Sequence, residues 1–544
     1  MVFGKIKKRM EDKLAGKFEI EEQELCQFCK KNLKYWNAGE NKESESENGT
    51  IFIGLFMVEK WIPWLLPKML YSKGLEKSTG CCPIVIDWEY NEQLVQFYSS
   101  YGIGYISLKK EMFKNFTGCL YGMLRTAGFF LFQGNGKRMS QMKYQGMELG
   151  HFMFDTVIRT NQEIYTIRTA RNKTCLKKVW TGFWTLHTLS VVCKKYKPKY
   201  YYFDDLVYDE GMIVTFLSNK ECQIYKCELN GTQLHPKMEN GEIYWPDFER
   251  EILKEDIRTL KEEEKQEYIE IADKLLSDRF QAKNGDVRDS KAAFIGKKEG
   301  SREVLAEKMG LHKNRKNVVI CCHTLSESAH RCSEQVFEDT YTWVEETMKM
   351  VRDNENANWI IKVHPIAAMK YGEGGVVEGL YEKYKSDNLF LFPDEYNSAL
   401  VGQLADVVIT IYGTVGCEYS CLGIPVILAG KAVYSGFGYT VDAFTRTEYE
   451  KALDNVQNIQ PLTEKQKNMA KLVFTCQSRR KEVEKDAMAS KMTDLIWKMD
   501  TEYMAGKSLK QLNAEALRYL RTEVSIEDLI QSDYYKKGLM MENR

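Results

Sequence analysis

Proline is scarce in this chain, 10 of 544 residues, so long proline-rich linkers are excluded. Net charge is absent as well. The 77 Lys and Arg balance 77 Asp and Glu, which argues against a protein whose main task is to coat nucleic acid. Apolar runs of the ~20 residues needed to span a bilayer are missing: 51–70 is broken by Glu59, Lys60 and Lys68, and 180–193 is too short. The start, MVFGKIKKRMEDKL, is basic and leads into charged amphipathic sequence rather than an apolar core, so a cytoplasmic protein is expected. A disulfide framework is lacking too. Fifteen cysteines occur as scattered singles and adjacent pairs (Cys81-Cys82, Cys321-Cys322), an odd count that fits reduced, core-filling thiols. Cys26 and Cys29 form a Cys-x-x-Cys with no second pair to complete four zinc ligands, so no metal site is expected.

What is present is a globular mixture, 44% apolar, 28% charged and 12% aromatic, with material for two to four domains. Residues 1–49 read as a charged helix followed by a solvated tether rich in Glu, Ser, Lys and Asn. From Thr50, continuous apolar runs (IFIGLFM, CCPIVIDW, IGYISL) alternate with helical patterns, as in a parallel sheet covered on both faces. Residues 129–193 read as mostly helical. A strand over 199–203 then runs into Asp204 and Asp205, another apolar run covers 223–227, and 247–280 reads as one long amphipathic helix. These elements make a first Rossmann-like domain over 50–290 with a helical insertion, followed by a polar connection.

The alternation restarts in a second Rossmann-like domain over 291–460. Its strands are expected at 318–322, 359–363, 389–392, 407–411 and, as the last, 425–428. A helix over 334–352 has an acidic start and a basic end that suit the macrodipole. Residues 461–544 read as charged helices packing across both domains. The fold class is α/β, two Rossmann-like domains facing a cleft, with additional N- and C-terminal helices.

Ligands of open parallel sheets bind beyond the carboxyl ends of the strands. There, ADVVITIYGTVGCEYSCLGIPVILAG, 405–430, carries a buried strand into a glycine-flanked turn and a helix start. Amides at such a start favour phosphate; Gly413 and Gly416 let the backbone approach it, and Thr414 adds a hydroxyl. Glu418 follows as an acceptor placed for the two hydroxyls of a ribose. In WIIKVHP, 359–365, His364 stands at a strand end with Lys362 on the same side. Its imidazole can donate to a nucleotide phosphate and stabilise a leaving group. His323, with Thr324 and Ser326, takes the equivalent place after the first strand of this half. It either faces the cleft or precedes a helix capped by Ser326 or Ser328. His330 reads as a surface residue, and His235-Pro236 as a polar loop.

Five stretches, REVLAEKMGL, VVICCHT, WVEETMKMVRDNENANWIIKVHP, ADVVITIYGTVGCEYSCLGIPVI and GFGYTVDAFTRTEYEKAL, lie within about 302–453. They resemble bacterial GT-B glycosyltransferases of the capsule and surface-polysaccharide type. These are relatives of the Kdo and sialic-acid transferases with a His-Pro motif, and more distantly of glycerophosphate polymerases and UDP-sugar 2-epimerases. The resemblance implies a GT-B-like fold and a nucleotide-sugar donor, with His364, Thr414 and Gly416 at the phosphate and Glu418 on the ribose. It implies no metal, and no cofactor beyond the donor itself. The sequence has Gly-Thr where the sialyltransferase pattern carries Ser-Ser or Ser-Thr.

Sugar transfer with inversion needs a carboxylate to take the acceptor's hydroxyl proton. Asp204, Asp205, Asp209 and Glu210 crowd one strand end of the first half, where mutual repulsion raises at least one pKa. Asp209-Glu210-Gly211 resembles the acidic pair plus glycine that supplies the base in sialyltransferases, Asp209 being the first choice. The expected catalytic set is Asp209, Glu210 and His364; the donor-binding set is His323, Lys362, His364, Gly413, Thr414, Gly416 and Glu418. The expected reaction moves a sugar from a nucleotide-activated donor, CMP-sugar favoured and UDP- or GDP-sugar open, to a surface-polysaccharide or lipid-linked glycan acceptor. The alternatives are a polyol-phosphate transferase or a nucleotide-sugar 2-epimerase on the same scaffold, or a non-catalytic glycan-binding assembly subunit. Basic clusters at 5–9 and 194–199 suit peripheral contact with an anionic membrane, and no nucleic-acid partner is expected.

Overall fold

The computed structural model describes residues 18–36, 48–56, 60–132, 134–161, 164–169, 172–228, 231–235, 244–283, 292–368, 372–481, 487–504 and 506–523. The basic cluster at 5–9 and most of the expected tether lie outside them.

Fourteen strands build two six-stranded sheets and a small hairpin among the described residues. The first sheet uses β1 (Thr50–Leu55), β2 (Cys82–Asp87) and β3 (Gly104–Ser107). After the hairpin of β4 (Lys143–Tyr144) and β5 (Met147–Glu148) it adds β6 (Pro198–Phe203), β7 (Gln223–Glu228) and β8 (Gly231–His235). The second sheet uses β9 (Lys316–Cys321), β10 (Ala357–Lys362), β11 (Leu389–Leu391), β12 (Val407–Thr410), β13 (Val426–Leu428) and β14 (Thr440–Asp442). Their orders are β3-β2-β1-β6-β7-β8 and β11-β10-β9-β12-β13-β14. All pairs are parallel except β7–β8. With the hairpin set aside, both sheets run third-second-first-fourth-fifth-sixth, the doubly wound order whose switch point lies between the first and fourth strands.

The residues dictate this arrangement. Ile51, Ile53 and Leu55 of β1 enter one apolar core while Phe52 enters another; Val319 and Cys321 of β9 likewise oppose Val318 and Ile320. Side chains alternate along a strand, so an unbroken apolar run needs cover on both faces. Helices supply it. Ile62–Thr79 packs under the first sheet, starting at Trp61 with no side-chain cap and ending at Gly80, whose φ of 71° suits glycine.

The missing cap comes from the far end of the chain. Asn513, fully buried on helix Leu509–Thr522, accepts from the Ile62 amide (3.1 Å) and donates to the carbonyls of Lys60 (3.2 Å) and Glu19 (3.3 Å). Helix Glu464–Lys481 buries Ala470 and Val473 in the second domain's core, whereas Leu495, Met499, Leu512 and Leu517 enter the first domain's. The C-terminal helices therefore span both sheets.

Four local expectations fail for identifiable reasons. The helix expected over 247–280 is two, Trp245–Thr259 and Glu262–Phe280, because Leu260 is extended and the Lys261 amide is taken by the Glu264 side chain, restarting the helix. The helix expected from 334 begins at Thr340, capped by Asp339 (2.6 Å to the Thr342 amide), so Glu334 and Glu338 lie outside it. The strand at 425–428 is followed by β14, a short polar edge strand. His235 closes β8 rather than lying in a loop.

Replacing Asn513 with Ala strips partners from buried backbone groups at a helix start and should cost about 2 kcal/mol, read as a lower denaturant midpoint.

Candidate active site

At the second sheet's switch point, beyond the carboxyl ends of the paired strands β9 and β12, lies a cavity of about 270 Å³. Its walls bring together Lys362, His364, His323, Gly413, Thr414 and Glu418, six residues singled out in the sequence from three separate strand ends. Arg279, Phe294, Ser398 and Tyr419 are among the other residues that line it. Burial holds the Lys362 ammonium below its ordinary pKa, and an anion bound beside it would raise that pKa and favour the charged form. The Ile366 amide lies 3.4 Å from His364 Nδ1. A backbone N–H there makes Nδ1 an acceptor and leaves the neutral ring's proton on Nε2.

Three site expectations change. Gly416 is buried and does not line the cavity: a Cβ there would strike the Tyr434 hydroxyl, which donates to the Gly413 carbonyl. Its lack of a side chain makes room for the Tyr434 ring. Gly413 does need to be small, since a Cβ would stand 3.0 Å from Thr410 Oγ1 and 3.2 Å from His323 Cε1. The following helix, Val415–Cys421, is only seven residues long, and the amides of Gly416, Cys417 and Glu418 bond back to Gly413 and Thr414. Those three amides are therefore not free at the helix start, and the cavity's cationic side chains are Lys362 and Arg279. His323 lines the cavity, but Nε2 faces Thr410 Oγ1 (3.0 Å) and the Tyr412 amide (3.4 Å). Burial, then the neighbouring His364, pushes its pKa down to about 3, so the ring is neutral. Neither Ser326 nor Ser328 caps a helix; Ser326 bonds Glu373 (2.5 Å), and Ser328 takes part in the domain junction.

Glu418 is almost wholly buried and accepts from Arg279 Nε (2.6 Å), whose Nη2 stands 3.5 Å from Thr414 Oγ1. Arg279 ends helix Glu262–Phe280 and escaped sequence reasoning, because an arginine finishing an amphipathic helix reads as solvated surface. The only hint lay in its place at a helix end just before the polar connection.

The acidic cluster of the first half sits at the other sheet's carboxyl end and splits in two. Asp209 lines a cavity of about 560 Å³ with Lys60, Asp87, Trp88, Glu89, Lys109 and Lys178. Its carboxylate pairs with Lys178, and Thr156 Oγ1 lies 3.3 Å away. Glu210 faces inward, accepts the Asp204 amide (3.2 Å) and lies beneath Gly54. Burial first, then the Asp204 charge, pushes its pKa up to about 8, so burial rather than repulsion leads the expected rise. Asp204 pairs with the fully buried Lys68, and Asp87 with buried Lys60.

Between the two sheets, His330 is not a surface residue. Its Nδ1 lies 2.7 Å from Asp155 Oδ1 and its amide 3.2 Å from Oδ2. The Ser328 amide donates to the Tyr208 hydroxyl (3.1 Å), and Arg168 pairs with Glu345 (2.7 Å). Tyr208 adopts a φ of 54°, unusual for so bulky a residue.

Comparison with known proteins bears on the second half. Residues 282–459 match the model of a family described as capsule polysaccharide biosynthesis protein. The likeness read from the motifs holds over that segment, about a third of the chain. No curated protein matches the chain. Among solved structures, similarity extends to the KpsC beta-Kdo 2,7 transferase of Thermosulfurimonas dismutans, 16% identical over 53% of this chain and 80% of that one, TM-score 0.30. A glycosyltransferase from Rickettsia africae is 11% identical over 81% and 99%, TM-score 0.26. The UDP-GlcNAc 2-epimerase of Neisseria meningitidis is 11% identical over 84% and 100%, TM-score 0.19. Scores this low say nothing about substrate or reaction. Among the described residues, no helix is long and apolar enough to cross a membrane.

Two outcomes follow from the charges. Arg279→Met leaves buried Glu418 without its cation and should cost about 1–3 kcal/mol, discounted for the arginine's partial exposure; adding Glu418→Gln should restore most of the denaturant midpoint. Glu210 holds its proton up to about pH 8 when folded but releases it near its ordinary carboxylate pKa when unfolded. Stability should therefore fall as pH rises, by up to about 1.4 kcal/mol per unit, levelling above 8. His323 and His151, both pushed down to about 3, act in the opposite sense below about pH 6.5. Between pH 6.5 and 8, above the range of the two histidines, the slope should be shallower in Glu210→Gln.

Proposed function

We propose that the chain is a metal-independent glycosyltransferase of cell-surface polysaccharide synthesis, acting on the cytoplasmic side. The second domain would hold the nucleotide-sugar and the first domain the glycan or lipid-linked acceptor. One observation carries this reading: Lys362, His364, Arg279, Thr414 and Glu418 converge on one cavity at the switch point of a doubly wound sheet. Three cationic or protonated donors suit a phosphate, and a buried carboxylate beside them suits the hydroxyls of a ribose. The family match over 282–459 supports it.

In this reading the bond from the sugar's anomeric carbon to the donor phosphate breaks as the acceptor oxygen attacks that carbon. His364 Nε2, Lys362 and Arg279 stabilise the charge gathering on the leaving phosphate. Arg279 also orients Glu418, so the ribose and phosphate contacts are set by one ion pair. Asp209 takes the acceptor's hydroxyl proton; it lines the first domain's cavity, whereas Glu210 lies behind it and serves to position the strand end. Thr156 and Lys178 hold the Asp209 carboxylate in place. A CMP-sugar is the favoured donor.

CMP, CDP, UDP and GDP, each added alone, should separate by thermal shift, with one raising the melting temperature by several degrees. His364→Ala should weaken that nucleotide about tenfold in calorimetry without lowering the melting temperature of the free protein. No shift with any of the four at millimolar concentration would overturn the reading.

A further inference from the structure

The helix Phe116–Leu131 carries its residue types inside out. Toward the body of the first domain it presents Gly118 and Gly122. A Cβ on Gly122 would lie 2.5 Å from the Trp180 carbonyl oxygen, and one on Gly118 would lie 3.0 Å from Trp184 Cδ1. Both tryptophans belong to helix Lys173–Tyr196, and their indole N–H groups donate to the carbonyls of Cys119 (3.2 Å) and Asn115 (3.0 Å). Glycine backbone and indole thus fix the inner face at close range.

The outer face holds Phe116, Leu120, Met123, Leu124 and Leu131, at the spacing of one helical stripe. Phe116 is 76% exposed, Leu124 65% and Leu131 73%. Phe113 and Phe132 continue the exposure beyond either end. A surface helix ordinarily turns Lys and Glu to water and its apolar residues inward; a contiguous apolar face of this size marks a surface that is covered in use.

We propose that this face docks on an anionic lipid bilayer, the helix lying in the plane of the interface. Charge selects the occupant. From 109 to 148 the sequence has seven basic residues against two acidic ones, Glu111 and Glu148, which pair with Lys114 and Lys143 (2.6 Å each); Lys109 pairs with Glu89, and the segment keeps a net positive charge. A second copy meeting the same face would set two basic rims against each other, which repels. A bilayer supplies apolar depth beneath a negative surface and satisfies both features. The helix, ~24 Å long, is suited to lie in the headgroup layer rather than to cross it. The same face has a consequence for the acceptor that rests on the glycosyltransferase reading. Lys109 and Met112, just before this helix, and Lys177, Lys178 and Thr181 on its partner helix line the Asp209 cavity. An acceptor anchored by a lipid tail would reach that cavity from the membrane.

The test uses the full chain and vesicles of phosphatidylcholine, alone or mixed with phosphatidylglycerol, in a sedimentation assay. The mixed vesicles should bind, added salt should weaken binding, and Phe116→Glu/Leu124→Glu should lower the partition coefficient about tenfold or more. Far-UV circular dichroism checks the fold of that variant, and the milder Met123→Ser/Leu131→Ser pair gives a second reading should the first variant unfold. Nucleotide-induced thermal shift should be unchanged in either variant, so loss of docking and failure of the donor reading are told apart. Equal binding to both vesicle types, or full binding by the folded variants, overturns the proposal. So does a dimer in light scattering that the substitutions dissolve while vesicle binding is absent, which would assign the face to a second copy.

Discussion

A parallel sheet cannot leave a face in water, and that single constraint organises this molecule. Its strands are apolar on both sides, so each ladder must be sandwiched between helices, and each strand must be followed by a crossover long enough to return. Winding the crossovers to one side and then the other forces two neighbouring strands to send their connections apart. The gap this opens, between β1 and β6 and again between β9 and β12, is where polar groups can gather without breaking a core. The chain does this twice, with the same strand order, and both gaps are lined by charge.

The two gaps differ in how the charge is held. In the second domain the carboxylate of Glu418 answers Arg279, while Lys362 and His364 stand on neighbouring wall positions. The first domain instead buries whole pairs, Lys60 with Asp87 and Lys68 with Asp204, and packs the Glu210 carboxyl behind them. Burying such pairs commonly costs more than an apolar replacement would, so they do not explain stability. They do fix the strand ends: Lys68 also donates to the Gly54 carbonyl (2.9 Å), tying β1 to the loop that follows β6. A rigid rim is what a site for a large polar ligand requires.

Much of this was legible in the sequence where burial is two-sided. VVIC, NWIIK and VVIT could be placed as strands because an unbroken run of β-branched residues has few other homes, and the residues immediately after them then had to face the crevice. That is why His323, Lys362, His364 and Thr414 were found together. Edge strands were not legible: β8 and β14 contribute GTQLH and TVD, which have one paired side and no apolar signature. Gly416 shows a different limit, since glycine announces a close approach without saying what approaches, here the Tyr434 hydroxyl. Arg279 and Glu418 are 139 residues apart, and no local pattern links them. His330 reads as surface for the same reason, its partner Asp155 lying in the other half of the chain.

The contacts between the halves are unlike those inside them. Within each half the packing is apolar and dense; across the junction polar contacts, His330–Asp155, Tyr208–Ser328 and Arg168–Glu345, stand beside a few apolar ones, the Tyr165–Tyr341 stack and Ala329 in the first domain's core. Polar junctions of this kind permit relative motion that an apolar one would resist. Helices from the C-terminal end bury apolar residues in both domains and so tie the two halves together. The left-handed backbone of Tyr208 sits at that junction, directly before Asp209 and Glu210. The Tyr208 hydroxyl accepts from the Ser328 amide, so one hydrogen bond joins the acidic end of the first sheet to the loop leaving β9, which also carries His323 into the second cavity.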